Sequence, residues 1–365
     1  ILLVISLLLS IANAKMFAIR LSPAEDPIEY AIRYGLEYVT STVNEWHVYK
    51  SHSSVSGDKQ HVFLQDSSVI EYEEQKERQQ YKRTDPLYNI QWHLHYSDHA
   101  IDTDVEPATR YSGRGVTVAI VDDGLQHRHP DLSPNYNPLL SYDFNDHDMD
   151  PAPNVYQNDG HGTSAAGVCC AARDNNHCGR GAAPEASLVG IRLIARGTYD
   201  YEEAEGLSHK LDHIRIYSCS WGPEDSGRDM VAPGRVTLDA LSRNFANNAI
   251  YIWAGGNGRD NGDNGNYDGY ANHYSTIAIG AIDYGGSQAW YSEDCACLMG
   301  VTPSSGYTNR GIVTVDLVGP YGYSSGECTR TFGGTSSAAP LAAGIVALLL
   351  EKRSELTNRD IMHII

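Results

Sequence analysis

Five short apolar runs between Gly115 and Ile282 constrain the fold of this chain more than any other feature. The first reads G-V-T-V-A-I-V-D-D-G, and similar runs recur at 186–193, 213–220, 249–254 and 275–282. They are rich in Val and Ile and show no polar alternation, the mark of strands covered on both faces. Helix-like stretches lie between them, at 161–173, 201–211 and 236–247. Strand alternating with helix dictates an α/β fold, a mostly parallel central sheet flanked by helices. Such sheets bind ligands at the carboxyl ends of their strands. The first run ends there in two carboxylates, Asp122 and Asp123. The Gly- and Asn-rich segment 255–270 is too long and polar for a tight turn and reads as a functional loop.

Two further motifs bring chemistry to those strand ends. G-G-T-S-S-A-A-P, 333–340, precedes L-A-A-G-I-V-A-L-L-L-E, a strong helix former that is apolar on nearly every face and therefore a buried helix. Free N–H groups and the positive dipole end at such a helix start favour developing negative charge, which makes Ser336 a candidate nucleophile. D-G-H-G-T-S places His161 at another helix start. Acyl transfer by a serine needs a base within hydrogen-bond reach and a carboxylate to fix that base's tautomer. Asp122, His161 and Ser336 offer these groups in the order Asp…His…Ser, which the same triad geometry adopts in subtilisin.

The net charge of −19 argues against nucleic acid as a partner and favours basic ones. The first fourteen residues, I-L-L-V-I-S-L-L-L-S-I-A-N-A, are an apolar block ending in a small-x-small site. They read as a partial secretory signal, too short for a membrane span, and place the protein where disulfides form. Seven cysteines allow one to three disulfides with at least one thiol over. Residues 15–83 carry K-M-F-A-I-R-L, D-P-I-E-Y-A-I-R-Y-G-L and H-V-F-L-Q, alternately strand-like and helix-like, enough for a small α+β unit. The unit closes in a charged run, 71–83, where Lys82 and Arg83 form an exposed proteolytic junction.

With S-C-S-W-G-P-E-D, W-A-G-G-N-G and N-Y-D-G-Y-A-N-H-Y-S, the three motifs resemble the subtilisin superfamily, and within it the kexin/furin-type proprotein convertases. The resemblance runs from about Asp85 to the C-terminus and more loosely over the segment before it. It implies a subtilisin-like three-layer catalytic domain at 84–365. Ahead of it stands an inhibitory propeptide, 15–83, that the enzyme itself removes after Lys82 and Arg83. The family's P-domain has no counterpart within these residues. In family terms Ser336 attacks, His161 shuttles the proton, Asp122 orients His161, and Asn257 donates its side-chain amide to the oxyanion. Asp225 and Asp268 surround the primary arginine pocket. Asp123 meets the next residue back, and Glu203 and Tyr270 a more distant one. Ser220, Trp221, Gly222, Pro223 and Glu224 form the strand that pairs with substrate backbone.

Calcium is the cofactor the resemblance implies, in loops whose carboxylates and carbonyls suit a hard cation. One site joins Asp85, Asp131 and Asn175 with carbonyls of Ala172, His177 and Gly179. A second uses Asp225, Asp263 and Glu293, and a third Asp143, Asp148 and Asp150. Cys178 and Cys328 match a family disulfide. Cys295 matches another paired position, but Gly265 stands where its partner belongs, and Cys297 makes a strained alternative. Val231 replaces an acid, Asn158 replaces an Asp whose loss Asp159 compensates, and Ser164 and Ala165 replace an Arg and a Cys. The implied activity is calcium-dependent serine endoproteolysis of precursor proteins after paired basic residues, in the Golgi, late secretory pathway or extracellular space. The propeptide is the intramolecular inhibitor. Two other readings stand beside it: a broad-specificity degradative subtilase, disfavoured by the acidic cleft, and an inactive or zymogen-locked homologue, to which the altered H-G-T-S-A and the missing P-domain point.

Overall fold

A computed structural model describes residues 15–42, 45–51, 62–75, 85–94 and 110–365. The apolar leader and the Lys82–Arg83 junction lie outside the described residues. The chain divides into two compact units, Ile1–Tyr81 and Lys82–Ile365.

In the first unit β1 (Lys15–Leu21), β2 (Glu37–Ser41), β3 (Trp46–Ser51) and β4 (Val69–Gln75) form an antiparallel sheet in the order β2-β3-β1-β4. Helix α1 (Pro27–Tyr34) starts where Asp26 accepts from the N–H groups of Ile28 and Glu29 and stops at Gly35. Its Tyr30 and Ala31 join Phe17, Ile19, Tyr49 and Phe63 in one small core. Two expectations change here. Phe63–Gln65, expected as strand, is a single turn of 3₁₀-helix, with the Tyr30 hydroxyl donating to the Phe63 carbonyl at 2.6 Å. The charged run begins as an edge strand, because Glu71 and Glu74 find cross-strand partners in Arg20 and Lys15.

The second unit is built on seven strands: β5 (Thr117–Asp122), β6 (Tyr142–Asp143), β7 (Ser187–Arg192), β8 (Ile216–Cys219), β9 (Ile250–Ala254), β10 (Thr276–Ile282) and β11 (Leu298–Pro303). Every pairing is parallel, in the order β11-β10-β9-β8-β5-β7-β6. Helices α2 (His161–Cys170), α3 (Asp200–Leu207), α4 (Arg235–Ala246) and α5 (Thr335–Lys352) flank it, and α6 (Asn358–Ile364) follows. Alternate residues of β5 serve the two faces. Val118 and Ile120 pack with residues of α2 and α5, while Ala119 and Val121 pack with those of α3 and α4. That double burial accounts for the apolar runs. The expected α/β architecture is therefore found.

Strand order reverses beside β5, with β6 and β7 on one side and β8 to β11 on the other. The crevice at such a reversal is where open sheets bind ligands. An antiparallel hairpin, β12 (Ile312–Gly319) and β13 (Gly326–Phe332), leads into α5. Among the described residues no helix is long and apolar enough to cross a membrane.

Candidate active site

Asp122 ends β5 and is 1% exposed. Its Oδ1 accepts from the Asp123 N–H at 2.8 Å and lies 2.9 Å from His161 Nδ1. With a carboxylate as acceptor the proton sits on Nδ1, which leaves Nε2 as the basic nitrogen. His161 opens α2, and Gly162 permits its approach. A Cβ at Gly162 would lie 2.4 Å from the Gly124 carbonyl oxygen and 2.7 Å from Asp122 Cβ. Asp123 caps the same turn, accepting from the N–H groups of His161 (3.1 Å) and Gly162 (2.8 Å). Burial by itself lowers the imidazolium's pKa. The charge and hydrogen bond of Asp122, with Asp123 behind, outweigh burial and raise His161 to about 9. Burial, then repulsion from Asp122, pushes Asp123 up to about 7.

The pairing of Val121 with Cys219 puts Ser220 beside Asp122, and Ser220 is joined to Ser336. Ser220 Oγ donates to the Ser336 carbonyl at 3.1 Å, and Ser336 Oγ lies 3.5 Å from the Ser220 carbonyl. Helix α5 starts at Thr335, earlier than the apolar run alone indicates, and runs through Pro340. Proline offers no N–H to the carbonyl four residues back, and the Ser220 hydroxyl takes that place on Ser336. The ring of Phe332, four residues before Ser336, packs edge-on against His161 with centroids 5.6 Å apart. Asn257 follows β9. Its Oδ1 accepts from Thr335 N–H (2.8 Å) and Oγ1 (3.0 Å), so Nδ2 is the end of the amide left to donate elsewhere.

The acidic residues expected around substrate lie on the same loops. Asp225 Oδ2 accepts from the Asn257 N–H at 2.8 Å. The Asp268 carboxylate accepts from Tyr270 N–H at 2.7 Å and abuts Gly222, where a Cβ would meet its Oδ2 at 2.8 Å. Burial, then Asp225 and Asp263, lifts Asp268 to about 6. Glu203 and Tyr270 meet, the phenol donating to the carboxylate at 2.7 Å, while Thr198 Oγ1 donates to its other oxygen at 2.8 Å. Segment 220–224 is pinned through Trp221, whose indole N–H donates to the Val121 carbonyl at 2.9 Å. The Trp253 indole donates in turn to the Trp221 carbonyl at 2.6 Å. Trp253 was not legible as a site residue, since in sequence it is one apolar position of a strand. Asp159 does not stand in for the acid replaced by Asn158. Arg192 claims it at 3.2 Å, while also pairing with Asp143 (2.8 Å) and Asp146 (2.9 Å).

Two of the three expected cation sites come together. Asp225, Asp263 and Glu293 bring carboxylate oxygens within 4.8 Å of one another. Glu293 is 2% exposed, and burial followed by its acidic neighbours raises it to about 7. Among the described residues no Lys or Arg pairs with this trio, so the donor set fits a hard divalent cation. Asp131 is wholly buried, with one carboxylate oxygen accepting from Asn175 Nδ2 at 2.8 Å and the other without a partner. Asp85 accepts from the N–H groups of Asp174 and Asn175, and the Asn175 side chain from that of His177. Ala172 and Gly179 approach Asp131 through their own N–H groups. Burial holds the Asp131 carboxyl up at about 8. Asp85, Asp131 and Asn175 gather with one unpartnered buried oxygen that suits a cation, but Ala172, His177 and Gly179 present N–H groups here in place of the expected carbonyls. The third set does not assemble: Asp143 is paired with Arg192, Asp150 lies 2.9 Å from His127 Nε2, and Asp148 accepts from the Asp150 N–H.

Cys178 and Cys328 are disulfide-bonded, tying the loop after α2 to β13. Cys295 is bonded to Cys297, and Gly265 lies against it, with a Cβ there 3.0 Å from Cys295 Cβ. Cys169, Cys170 and Cys219 are buried thiols. Ser164, at the position of the absent Arg, donates to the Val315 carbonyl at 3.0 Å and fastens α2 to β12.

A family model described as the subtilase family matches residues 113–365. Proprotein convertase subtilisin/kexin type 4 of Mus musculus is 42% identical over 317 residues, 82% of this chain and 47% of that protein. The dibasic-processing endoprotease of Schizosaccharomyces pombe is 37% identical over 383 residues, 96% of this chain and 53% of that protein. The chain thus spans about half the length of these curated relatives. The crystal structure of a serine protease of Aeromonas sobria superposes with a TM-score of 0.71 at 26% identity, covering 78% of this chain and 57% of that one. With the strand order and the Asp–His–Ser motifs already in place, these matches make the chain a member of the subtilase family of serine proteases, with kexin/furin-type proprotein convertases as its curated relatives.

Proposed function

We propose that this chain is a serine endoprotease that cleaves precursor proteins after paired basic residues in the secretory pathway. Residues 15–83 are its inhibitory propeptide, removed by the enzyme itself after Lys82 and Arg83. The observation that carries the reading is the gathering of Asp225 and Asp268 around the segment 220–224 and Asn257, next to the Asp122–His161 pair.

The chemistry follows from that geometry. Neutral His161 takes the Ser336 hydroxyl proton at Nε2 as Oγ bonds to the substrate carbonyl carbon. The resulting oxyanion accepts from the Ser336 N–H and Asn257 Nδ2, and Asp122 stabilises the imidazolium. His161 returns the proton to the departing amine, and water then releases the acyl group by the same route. An arginine side chain entering beside Asp225 and Asp268 pairs with two separate carboxylates in a desolvated setting, where such pairs discriminate against neutral residues. Asp123 faces the preceding residue. Glu203 and Tyr270 face a more distant residue, and Val231, standing in place of a further acid, weakens the demand for a basic residue beyond the pair. Asp225, Asp263 and Glu293 would hold calcium, whose charge would keep these acids ionised, and Asp85, Asp131 and Asn175 would hold a second ion.

The test is a kinetic comparison of Lys-Arg, Arg-Arg, Ala-Arg and neutral peptides, each with calcium and with chelator. Dibasic peptides are expected to be cut fastest and the activity to fall on chelation. Comparable rates on neutral peptides would make the enzyme a degradative subtilase instead.

A further inference from the structure

The carbonyl of Gly334 stands at the head of α5, two residues before Ser336, and one hydroxyl from outside the helix and one from its first turn converge on it. Ser304 Oγ donates to it at 2.8 Å, alongside Ser337 Oγ at 3.2 Å and Ser337 N–H at 3.1 Å. Ser304 Oγ accepts from the Tyr291 hydroxyl at 2.8 Å and lies 2.7 Å from Ser337 Oγ. The Tyr291 hydroxyl is also 2.7 Å from the Ser305 carbonyl. Ser304 and Ser337 are fully buried and Tyr291 is 5% exposed. Buried polar groups linked in this way polarise one another, and each is costly to leave unpaired.

The other end of the same peptide unit is held too. The Thr335 N–H, amide partner of the Gly334 carbonyl, donates to Asn257 Oδ1 at 2.8 Å. One peptide plane is thus clamped by Ser304 on its oxygen and by Asn257 on its nitrogen. Gly334 itself supplies no restraint: its φ of +73° lies in the left-handed region that glycine enters freely, so the plane is set by its hydrogen bonds. A bond to the carbonyl also strengthens the N–H of the same amide as a donor.

We propose that Tyr291 and Ser304 are positioning residues for the oxyanion donors. Through the Gly334–Thr335 peptide they fix the sense of the Asn257 amide and the direction of the Ser336 N–H, without touching substrate. This rests on the reading of Ser336 as nucleophile and Asn257 as oxyanion donor.

The experiment uses the full chain, with turnover of a Lys-Arg peptide normalised to sites titrated by a fluorophosphonate, so that folding and processing drop out. Ser304→Ala and Tyr291→Phe each lower kcat about tenfold with KM within about twofold, less than the roughly 10²–10³ expected for a direct donor. Ser304→Thr, which keeps the hydroxyl, restores most of the rate. In an Asn257→Ala background the Ser304→Ala loss shrinks to about threefold or less, because its route runs through Asn257. Wild-type kcat in both single variants, a loss carried by KM, or full multiplicativity with Asn257→Ala overturns the proposal. A wild-type chain that no fluorophosphonate labels removes the nucleophile itself and the proposal with it. Labelling at Ser336 with unaltered kcat in the variants removes the relay alone.

Discussion

Glu293→Gln is expected to stabilise the chelated protein at pH 8 and to blunt its response to calcium. Glu293 is almost fully buried, and its carboxylate shares a 4.8 Å cluster with those of Asp225 and Asp263. Two unit charges that far apart repel by about 3–4 kcal/mol at an effective dielectric constant near 20. Burial first, and then this repulsion, raises Glu293 from 4.5 to about 7, about 3 kcal/mol between its two protonation states. Because the folded pKa is the higher one, the stability tied to the neutral group is complete below pH 4.5. It is lost as the pH climbs through 7. A bound divalent cation reverses the loss by pairing with the ionised trio. Thermal melts at pH 5.5 and 8, in calcium or in chelator, read this directly. Since pH 5.5 already lies above 4.5, about 2 kcal/mol of this separates the two pH values, and the calcium-minus-chelator gap should widen by roughly 4–8 °C, from about 2–4 °C per kcal/mol for a unit of this size. Asp131, raised to about 8, contributes with the same sign, so Glu293→Gln reduces the widening and does not abolish it. The Gly258 N–H that donates to Glu293 Oε1 at 2.8 Å keeps its acceptor in the glutamine variant, which isolates the charge. A gap that is flat with pH, or equally wide in Glu293→Gln, refutes the reasoning.

The pH profile of kcat/KM should rise to an apparent pKa near 9, since His161 works only when neutral. Asp123→Asn should move that limb downward by removing one of the negative charges that raise it; an unmoved limb assigns the titration elsewhere. Cys328→Ser opens a loop of 150 residues and should cost up to about 5 kcal/mol by the chain-entropy relation, read from denaturant melts; loss of under about 1 kcal/mol contradicts it. Ser336→Ala should leave one unprocessed species on a gel, and spontaneous loss of residues 15–83 in that variant, with other proteases excluded, argues against self-cleavage.

What sequence reasoning captured follows from how strongly a side chain is tied to its neighbours along the chain. The strands of the parallel sheet are doubly buried, so β5 and β7 to β10 announce themselves as apolar runs, and Asp122 is found at a strand end. The two-residue β6 carries no such signal because its pattern is too short, and the hairpin of β12 and β13 is masked because β13 is exposed over part of its length. The early start of α5 was hidden because Pro340 reads locally as a boundary, and the Ser336 carbonyl it leaves free is met by the hydroxyl of Ser220, 116 positions from Ser336. The same holds for Asp159 and Asp143. Each reads as a free acid in its own loop, and both are neutralised by one buried guanidinium, Arg192, whose neighbours in sequence are apolar. Asp123 is a further case: its partners over the first turn of α2 are 38 and 39 positions away, and only the family resemblance marks it as a site residue.

Whether Asp122, His161 and Ser336 act as one catalytic unit is tested by mapping the serine that a fluorophosphonate modifies. Labelling is predicted at Ser336 only, absent in Ser336→Ala and slowed in Asp122→Asn, where kcat should fall by on the order of 10⁴ as the imidazole loses its tautomer. Modification of another serine, or an undiminished rate in Asp122→Asn, contradicts it.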